Sequence, residues 1–328
     1  MDASHFLMFL AQRLVKALGV VIGVVILAFF LVRLAPGDPA LVIAGQSGAA
    51  DAQFLAQLRE QFGLDRSLGE QLFIYLKGIV FLDFGYSHRV QRTVASLIAE
   101  RLPATILLTS TAFVFAVSVG VTLGVLAARR VGTWADSLIT VIALTCYATP
   151  LFWVGLLFIL VFSIWLNWLP AIGMYSIGED LTGLAFVFDV ARYLILPSLT
   201  LGLFFMALYA RLTRASMLEV ATQDFVRTAR AKGLKEGPIV RRHILRNALL
   251  PVIGFAGVQA GTIVGGSVLV ETVFAWPGVG RLAFEALLAR DYNLLLGVFI
   301  VTSAMAVVIN LITDIVYALV DPRIEVGA

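Results

Sequence analysis

Charged side chains are scarce in this sequence. Only 14% of its 328 residues are Asp, Glu, Lys or Arg, whereas 60% are hydrophobic. Soluble domains contain about 25% charged and roughly 45–50% apolar residues. This number of charged residues could not cover the water-facing surface of a soluble protein of this length. The composition therefore indicates an integral membrane protein.

Cysteine and histidine are also rare, which limits the chemistry of the chain. The single cysteine, Cys146, cannot form an intrachain disulfide, and its position in an apolar run favours a small buried residue. The three histidines, His5, His88 and His243, have no second His three to five residues away, and no HExxH or GxSxG occurs. We therefore expect neither a metal site nor a hydrolase site.

A nucleotide-binding P-loop is missing as well. Such a loop needs Lys followed by Ser or Thr after a glycine-rich turn, so that backbone amides and the ammonium hold the phosphates. The four lysines of this chain are followed instead by Ala17, Gly78, Gly233 and Glu236. The chain is therefore predicted to hold no ATPase site, no other catalytic residue and no cofactor of its own.

Long apolar runs are what the sequence does contain. Six are long enough to cross a hydrocarbon core, which takes about 20 residues per helix. They are Leu14–Leu34, Ala104–Ala128, Leu138–Leu166, Tyr193–Ala210, Leu249–Val270 and Leu294–Val320. The first is longer than the apolar core of a signal peptide and is followed by further spans, so we expect it to be retained. The predicted fold is an all-α membrane protein with six transmembrane helices.

The distribution of Lys and Arg beside the spans predicts their orientation. Basic residues collect before the first span, after the second, between the fourth and fifth, and after the sixth; they are Arg13 and Lys16, Arg129 and Arg130, nine residues from Arg211 to Arg246, and Arg323. The alternate loops are poorer in basic residues. Both termini are therefore predicted to be cytoplasmic, and the net charge of +3 reflects topology rather than nucleic-acid binding.

Three segments follow from this topology. Residues 1–103 comprise the first helix and a long periplasmic loop, in which "ADAQFLAQLREQFGLD" has the spacing of a short amphipathic helix. A second stretch in this loop, "LFIYLKGIVFLDFGYS", is too short to span and is predicted to lie at the interface. Residues 104–320 form a five-helix core with a cytoplasmic loop at 211–248, and residues 321–328 form a short tail.

A few polar residues fall within the later spans, where such groups often mark a transport path. Gln259, Asn310 and Asp314 are the candidates for a translocation path, and Glu271 closes the fifth span. Asn310 and Asp314 lie one helical turn apart, so for these two we favour a structural pair over a role in the path. The absence of a paired acid and base argues against coupling to an ion gradient.

Glycines at positions 257, 261 and 265 follow each other at intervals of four in the fifth span. Small residues on one helical face allow another helix to approach closely. A translocation path could also use this face, but we favour helix packing.

The stretch "DFVRTARAKGLKEG", Asp224 to Gly237, combines cations with glycines and small residues. We predict a helix from Ser216 to Lys232 that ends in a Schellman motif, with Gly233 left-handed at C′ and Leu234 at C″. A second helix would begin with Pro238 at its first position. The positions of Phe225, Val226, Ala229 and Gly233 suggest a partly apolar face for docking to a protein, although attraction of a basic loop to anionic lipid remains an alternative.

At these residues the sequence resembles the transmembrane permease subunits of bacterial ATP-binding cassette (ABC) importers, in the dipeptide, oligopeptide and nickel branch. "TARAKGL" followed by "LLP" resembles the cytoplasmic EAA motif of that family. Aligned on Gly233, Arg227 stands where the general motif has Glu, and Thr228 and Ala229 stand at its two Ala positions. "LAPGDP", "DFGYS", "ETVFAWPGVGRL" and "DPRI" resemble segments of the same branch in the same order.

The resemblance implies a type I importer architecture in a bacterial inner membrane. It implies a homologous second permease, two cytoplasmic ABC ATPase subunits that bind ATP and Mg, and a periplasmic or lipid-anchored binding protein. The implied ATPase-coupling residues are Asp224, Phe225, Arg227, Thr228, Ala229, Arg230, Ala231, Lys232, Gly233 and Leu234.

Peptides are the first substrate class that this branch suggests. Nickel complexes, opines, glutathione and sugars are the alternatives. Two hypotheses come from other functional classes. The chain could be a secondary transporter or channel that acts alone, or a membrane scaffold that moves no substrate.

Overall fold

The structure is a computed structural model that describes residues 3–34, 56, 65–87 and 89–320. For residues 3–11, 31–34, 314 and 316–320 it describes only the helical backbone. The segments "APGDP" and "DPRI", the amphipathic helix predicted over residues 54–62 apart from residue 56, His88, and the side chains of His5 and Asp314 therefore lie outside the described residues.

Helices make up almost all of the described chain. They are α1 Ala3–Leu34, α2 Leu68–Val80, α3 Val94–Arg129, α4 Trp134–Ala148, α5 Leu151–Trp165, α6 Gly183–Ala221, α7 Asp224–Ala231, α8 Glu236–Val273, α9 Val279–Ala289 and α10 Tyr292–Val320. Two stretches have π-helical hydrogen bonding, Ile159–Trp165 in α5 and Ile239–Ile244 in α8. A small antiparallel ribbon, which the sequence analysis did not predict, pairs β1 Tyr86–Ser87 with β2 Arg92–Thr93.

Five of these helices, α1, α3, α6, α8 and α10, are long and apolar enough to cross a membrane. A sixth span is present if α4 and α5 count as one, and the prediction of six spans is confirmed in that sense. The third span is not the straight helix that its sequence suggests, because α4 and α5 meet at an angle of 104°. Thr149 is extended at the break, since the ring of Pro150 disfavours a helical conformation in the residue before it.

The described chain divides into two compact units. The first contains residues 104–277 and those from 308 onward, and the second contains residues up to 103 together with residues 278–307. Each unit has an apolar core of its own. In the first unit this core includes Leu108, Tyr209 and Trp276, none of which exposes its side chain. Val94 and Val279 are equally buried in the core of the second.

Two glycines bring the backbones of α3 and α6 into contact within the first unit. A Cβ atom at Gly120 would lie 2.7 Å from the carbonyl oxygen of Met206, and one at Gly124 would lie 2.6 Å from that of Ala210. Gly120 and Gly124 form a GxxxG pattern, the spacing that permits close helix approach in membranes. This pair was not predicted, although its spacing is visible in the sequence "GVTLG".

The glycines of α8 behave as packing residues at two of the three predicted positions. A Cβ at Gly257 would lie 1.6 Å from Cγ2 of Thr313, and one at Gly261 would lie 2.9 Å from Oδ1 of Asn310. Gly265 has nothing within 4 Å of the position of a Cβ. The first two glycines therefore seat α10 against α8, whereas Gly265 lies on an open face of α8.

The "DFGYS" segment of the second unit is fastened to the start of α10. The Ser87 hydroxyl donates a hydrogen bond to the carboxylate of Asp291, and Nδ2 of Asn293 donates to the Tyr86 carbonyl at 3.2 Å. The other oxygen of Asp291 accepts from the backbone N–H of Leu294 at 3.1 Å, so Asp291 caps α10. This segment therefore has a structural function in the second unit.

Helix α2 is too short to cross a membrane. It has 13 residues and so spans about 20 Å, against about 30 Å for a hydrocarbon core. Ser67 and Glu70 form a capping box at its start, and Tyr75 packs on Phe29 of α1 with ring centroids 5.7 Å apart. Phe73 is 69% exposed, which agrees with a helix that lies at an interface.

Substitution of Gly124 tests the contact between α3 and α6. We expect Gly124→Ala to lower the free energy of unfolding of the purified chain in detergent by about 1–3 kcal/mol, because the added methyl group meets a backbone oxygen that cannot rotate away. The temperature midpoint of unfolding should fall accordingly. Gly265→Ala is the matched control, and it should leave the midpoint unchanged or raise it, since Ala favours a helix. Tryptophan fluorescence during heating measures both. Equal midpoints for the two variants would contradict the assigned contact.

Candidate functional site

The basic loop, defined here as residues 222–244, is folded around a small apolar core. This core joins the end of α6 to α7 and to the first part of α8; its buried members are Met217, Val226, Ala229, Ile239, Ile244 and Ala248. The hydroxyl of Ser216 adds a buried hydrogen bond of 3.0 Å to the carbonyl of Ala248. The loop is therefore attached to two long helices, α6 and α8, by packing and by a polar contact.

The helix predicted from Ser216 to Lys232 is interrupted. Helix α6 ends at Ala221, and the Thr222 hydroxyl bonds to the Glu219 carbonyl at 2.7 Å. Gln223 is extended, with φ −69° and ψ 151°, and α7 begins after it. The break turns the chain so that the apolar side chains of α7 lie against the end of α6, which a continuous helix would not allow.

The predicted Schellman motif at the end of α7 is confirmed. Gly233 is left-handed with φ +76°, its N–H donates to the Arg230 carbonyl at 2.9 Å, and the N–H of Leu234 donates to the Ala229 carbonyl at 3.3 Å. No atom lies within 4 Å of the position of a Cβ at Gly233. The backbone conformation, and not a lack of space, therefore requires glycine here.

The next helix starts two residues earlier than predicted. Lys235 is the N-cap and Glu236 the first residue of α8, so Pro238 occupies the third position rather than the first. Nε of Arg230 donates to Oε1 of Glu236 at 2.8 Å and thereby joins the end of α7 to the start of α8. This hydrogen bond raises the pKa of Arg230 above its ordinary value, so the guanidinium stays charged.

Helix α7 has one face turned inward and one turned to solvent. Val226 and Ala229 are 0% and 4% exposed, so they belong to the core of the basic loop and not to the docking face on which the sequence analysis placed them. Phe225 and Leu234 are 45% and 46% exposed. The outward face consists of Asp224, Phe225, Arg227, Thr228, Arg230, Ala231, Lys232 and Leu234. Cations thus surround two apolar side chains on the surface of the loop.

A cavity of about 360 Å³ lies beside the loop. Arg129 lines it from the end of α3, Met217 and Ala221 from α6, and Arg230 and Glu236 from the loop. The cavity lies beside the end of α3, where Val125 and Ala128 pack against the apolar core of the loop.

The candidates for a translocation path are not joined to each other. Oε1 of Gln259 accepts a hydrogen bond of 3.1 Å from the hydroxyl of Thr262 in its own helix. Asn310 contacts Gly261, as described above. No hydrogen bond links Gln259 to Asn310 among the side chains that the structure describes, and the side chain of Asp314 lies outside them. A role in the path stays a prediction for all three.

Glu271 is completely buried near the end of α8. Its Oε1 accepts hydrogen bonds from the hydroxyls of Thr105 at 2.8 Å and Ser267 at 3.2 Å. The neighbouring residues add a second link, because the indole N–H of Trp276 donates a hydrogen bond of 2.8 Å to the Ala104 carbonyl. These contacts tie α3 to α8 within the first unit, which gives the "ETVFAWPG" segment a structural function.

An ion pair between Asp136 and Arg214 in the first unit was not predicted from the sequence. Two hydrogen bonds of 2.7 and 2.8 Å join the carboxylate to the guanidinium. An acid in the first turn of a helix is a readable signal. Its partner is 78 residues away in the chain, and no local pattern identifies it.

The chain is similar to curated transport proteins over nearly its whole length. It is 39% identical over 329 residues to the dipeptide transport system permease protein DppB of Alkalihalophilus pseudofirmus, with 96% of this chain and 98% of that protein covered. It is 41% identical over 317 residues to the glutathione transport system permease protein GsiC of Escherichia coli strain K12, with coverages of 97% and 98%.

A solved structure shares the fold. A chain of the methionine ABC transporter MetNI in an inward-facing conformation superimposes with a TM-score of 0.55 and 18% identity, covering 69% of this chain and 96% of that one. The helices are therefore arranged as in a type I ABC importer permease.

Two family descriptions account for most of the sequence. Residues 6–109 match the N-terminal region of binding-protein-dependent transport system membrane components, and residues 120–326 match the binding-protein-dependent transport system inner membrane component. With the relatives above, these matches show that the chain belongs to the family of binding-protein-dependent transport permeases of ABC importers.

Proposed function

We propose that this chain is the membrane-spanning subunit of an ATP-driven importer and that it forms part of the translocation path for di- or oligopeptides. The observation that carries the proposal is identity near 40% over almost the full length with permeases named for dipeptide and glutathione transport. Glutathione is itself a tripeptide, so both names indicate short peptides. The multi-pass architecture agrees with this function.

Energy comes from partner subunits in this proposal. The chain has no P-loop, so ATP and Mg are bound by two cytoplasmic ABC ATPases. The basic loop is the contact with one of them, and its coupling residues are Asp224 to Leu234. The outward residues of α7 dock, Ala229 holds the helix on the core of the loop, and Gly233 ends it.

The remaining partners follow from the family. A homologous second permease completes the path, and a periplasmic or lipid-anchored binding protein delivers the peptide. The location is the inner membrane of a bacterium, with both termini in the cytoplasm. The nine basic residues between Arg211 and Arg246 support this orientation, because cytoplasmic loops carry an excess of Lys and Arg.

Transport proceeds by alternating access in this scheme. Closure of the ATPases around ATP displaces the basic loop, and the loop carries α6 and α8 with it through its shared apolar core. A loop with such a core moves as a body, because packed interiors deform little. Reorientation of the long helices then opens the path to the other side of the membrane.

Purification of the tagged chain from its host tests the proposal. Two P-loop proteins and a second permease should accompany it. Proteoliposomes of this complex with its binding protein should take up labelled alanyl-alanine only when ATP is present. Nickel complexes, an opine, glutathione and a sugar serve as competitors that identify the substrate class. Uptake driven by an ion gradient without any ATPase would contradict the proposal and indicate a secondary transporter.

The two faces of α7 predict opposite effects for neighbouring residues. Phe225→Ala should weaken association with the ATPase about tenfold, as expected for loss of an aromatic interface residue, and leave the unfolding midpoint of the isolated chain unchanged. Val226→Ala should lower that midpoint, because it removes buried volume from the core of the loop. Co-purification and thermal unfolding measure the two effects. The reverse pattern would contradict the assignment of the faces.

The left-handed glycine predicts a graded series. Gly233→Val should reduce peptide uptake per ATP hydrolysed, because a β-branched residue at φ +76° costs about 1–2 kcal/mol and displaces the end of α7. Gly233→Asn should retain most of the uptake, since Asn adopts this conformation more readily. Equal uptake by the two variants would show that the backbone conformation at this position does not matter for coupling.

A further inference from the structure

Helix α4 is joined to α6 by a partly buried, bidentate ion pair at its first turn. Nε of Arg214 donates to Oδ1 of Asp136 at 2.7 Å, and the second guanidinium nitrogen donates to Oδ2 at 2.8 Å. The backbone N–H of Gly132 also donates to Oδ2, at 3.1 Å. The Asp136 side chain is only 8% exposed and that of Arg214 is 33% exposed. All three residues belong to the first unit.

Helix α4 packs against α6 but buries few of its side chains. Its buried residues are Ala135, Asp136 and Ala143, whereas most of its apolar side chains are exposed. At its other end Tyr147 stacks on Phe204 of α6, with ring centroids 5.1 Å apart. Helix α4 thus packs against α6, and the ion pair lies nearer to the basic loop than the aromatic stack does.

Arg214 lies in the part of α6 that carries the basic loop. Thr213 packs on Gly124 of α3, Ser216 bonds to the Ala248 carbonyl of α8, and Met217 belongs to the core of the loop. A displacement of the loop therefore acts on this stretch of α6 first. The contacts of Thr213 and Ser216 pass this displacement to α3 and α8. The ion pair of Arg214 passes it to α4.

We infer that the Asp136–Arg214 pair is a positioning link that makes α4, and with it the bent α5, move together with the basic loop during transport. This inference rests on the proposed function. A bidentate pair fixes the direction as well as the distance between two helices, which an apolar contact does not. Buried ion pairs contribute little to stability compared with apolar residues of the same volume, so stability alone does not account for it.

A double-mutant cycle in the reconstituted complex tests the pairing. Asp136→Asn and Arg214→Gln should each lower uptake of alanyl-alanine per ATP hydrolysed about tenfold, and the double variant should be no worse than either single one, because the two residues act as one unit. Arg211→Gln removes a charge one turn away on the same helix, where the side chain is exposed, and should have no effect. Independent losses that multiply to about a hundredfold, or normal uptake in both single variants, would overturn the inference.

A second measurement needs no transported substrate and remains informative if uptake fails. With Cys146 replaced by Ala, spin labels at Leu138→Cys on α4 and Arg242→Cys in the basic loop report whether the two elements move together; Arg242 is exposed and lies outside the docking face. ATP with vanadate should leave the distance distribution between the labels unchanged in the otherwise native complex, and should shift or broaden it in Asp136→Asn.

The outcomes of the label experiment are distinguishable from failure of the proposed function. The same distribution in Asp136→Asn with and without ATP and vanadate would overturn the link, and so would a shift in the native complex. If the native complex shows no vanadate-sensitive ATP hydrolysis, the proposed function itself is wrong and the inference is lost with it. Thermal unfolding of each variant separates a lost link from a lost fold.

Discussion

The last turns of α6 are the structural element on which the rest of the first unit depends. Within three helical turns, from Tyr209 to Met217, this helix contacts three other helices. It meets the glycines of α3, forms an ion pair with α4 and donates a serine hydroxyl to α8. The same stretch contributes Met217 to the apolar core of the basic loop. The contacts with α3, α4 and α8 use different sides of the helix, whereas Met217 lies on the same side as Ala210 and Thr213. A stretch of helix with partners on several sides cannot shift without moving those partners, because packed interiors transmit strain.

Scarce charge makes the two buried carboxylates of the described residues conspicuous, and each is hydrogen-bonded in its own way. Glu271 accepts two hydroxyl hydrogen bonds, and Asp136 accepts from a guanidinium and a backbone amide. Burial of an unpaired carboxylate costs several kcal/mol, so such groups persist only where partners are built around them. Both join helices that are far apart in sequence. The few charges that the composition permits inside the first unit therefore connect helices.

Features that depend on neighbouring residues could be predicted from the sequence, and features that depend on distant ones could not. The helix stop at Gly233 and the number of apolar spans follow from local backbone chemistry and run length. The sharp bend before Pro150 and the break after Ala221 also have local causes, but their direction is decided by packing. The partner of Asp136 lies 78 residues away. Whether Gly257 or Gly265 seats a helix likewise depends on where α10 lies.

The two faces of α7 show why a short amphipathic helix is easily assigned the wrong way round. Its apolar periodicity suggests a docking surface, but Val226 and Ala229 satisfy that periodicity inside the loop's own core. What remains outside is cationic, with Phe225 and Leu234 among the charges. The ion pair of Arg227 with Asp224 is long, 3.4 Å, and both side chains are at least 71% exposed, so it contributes only about 0–1 kcal/mol to the helix. The fold does not require the charge of Arg227, and in the proposed complex that charge faces the ATPase subunit. A cationic residue where the general motif has an acid then favours an ATPase groove with acidic side chains opposite this position.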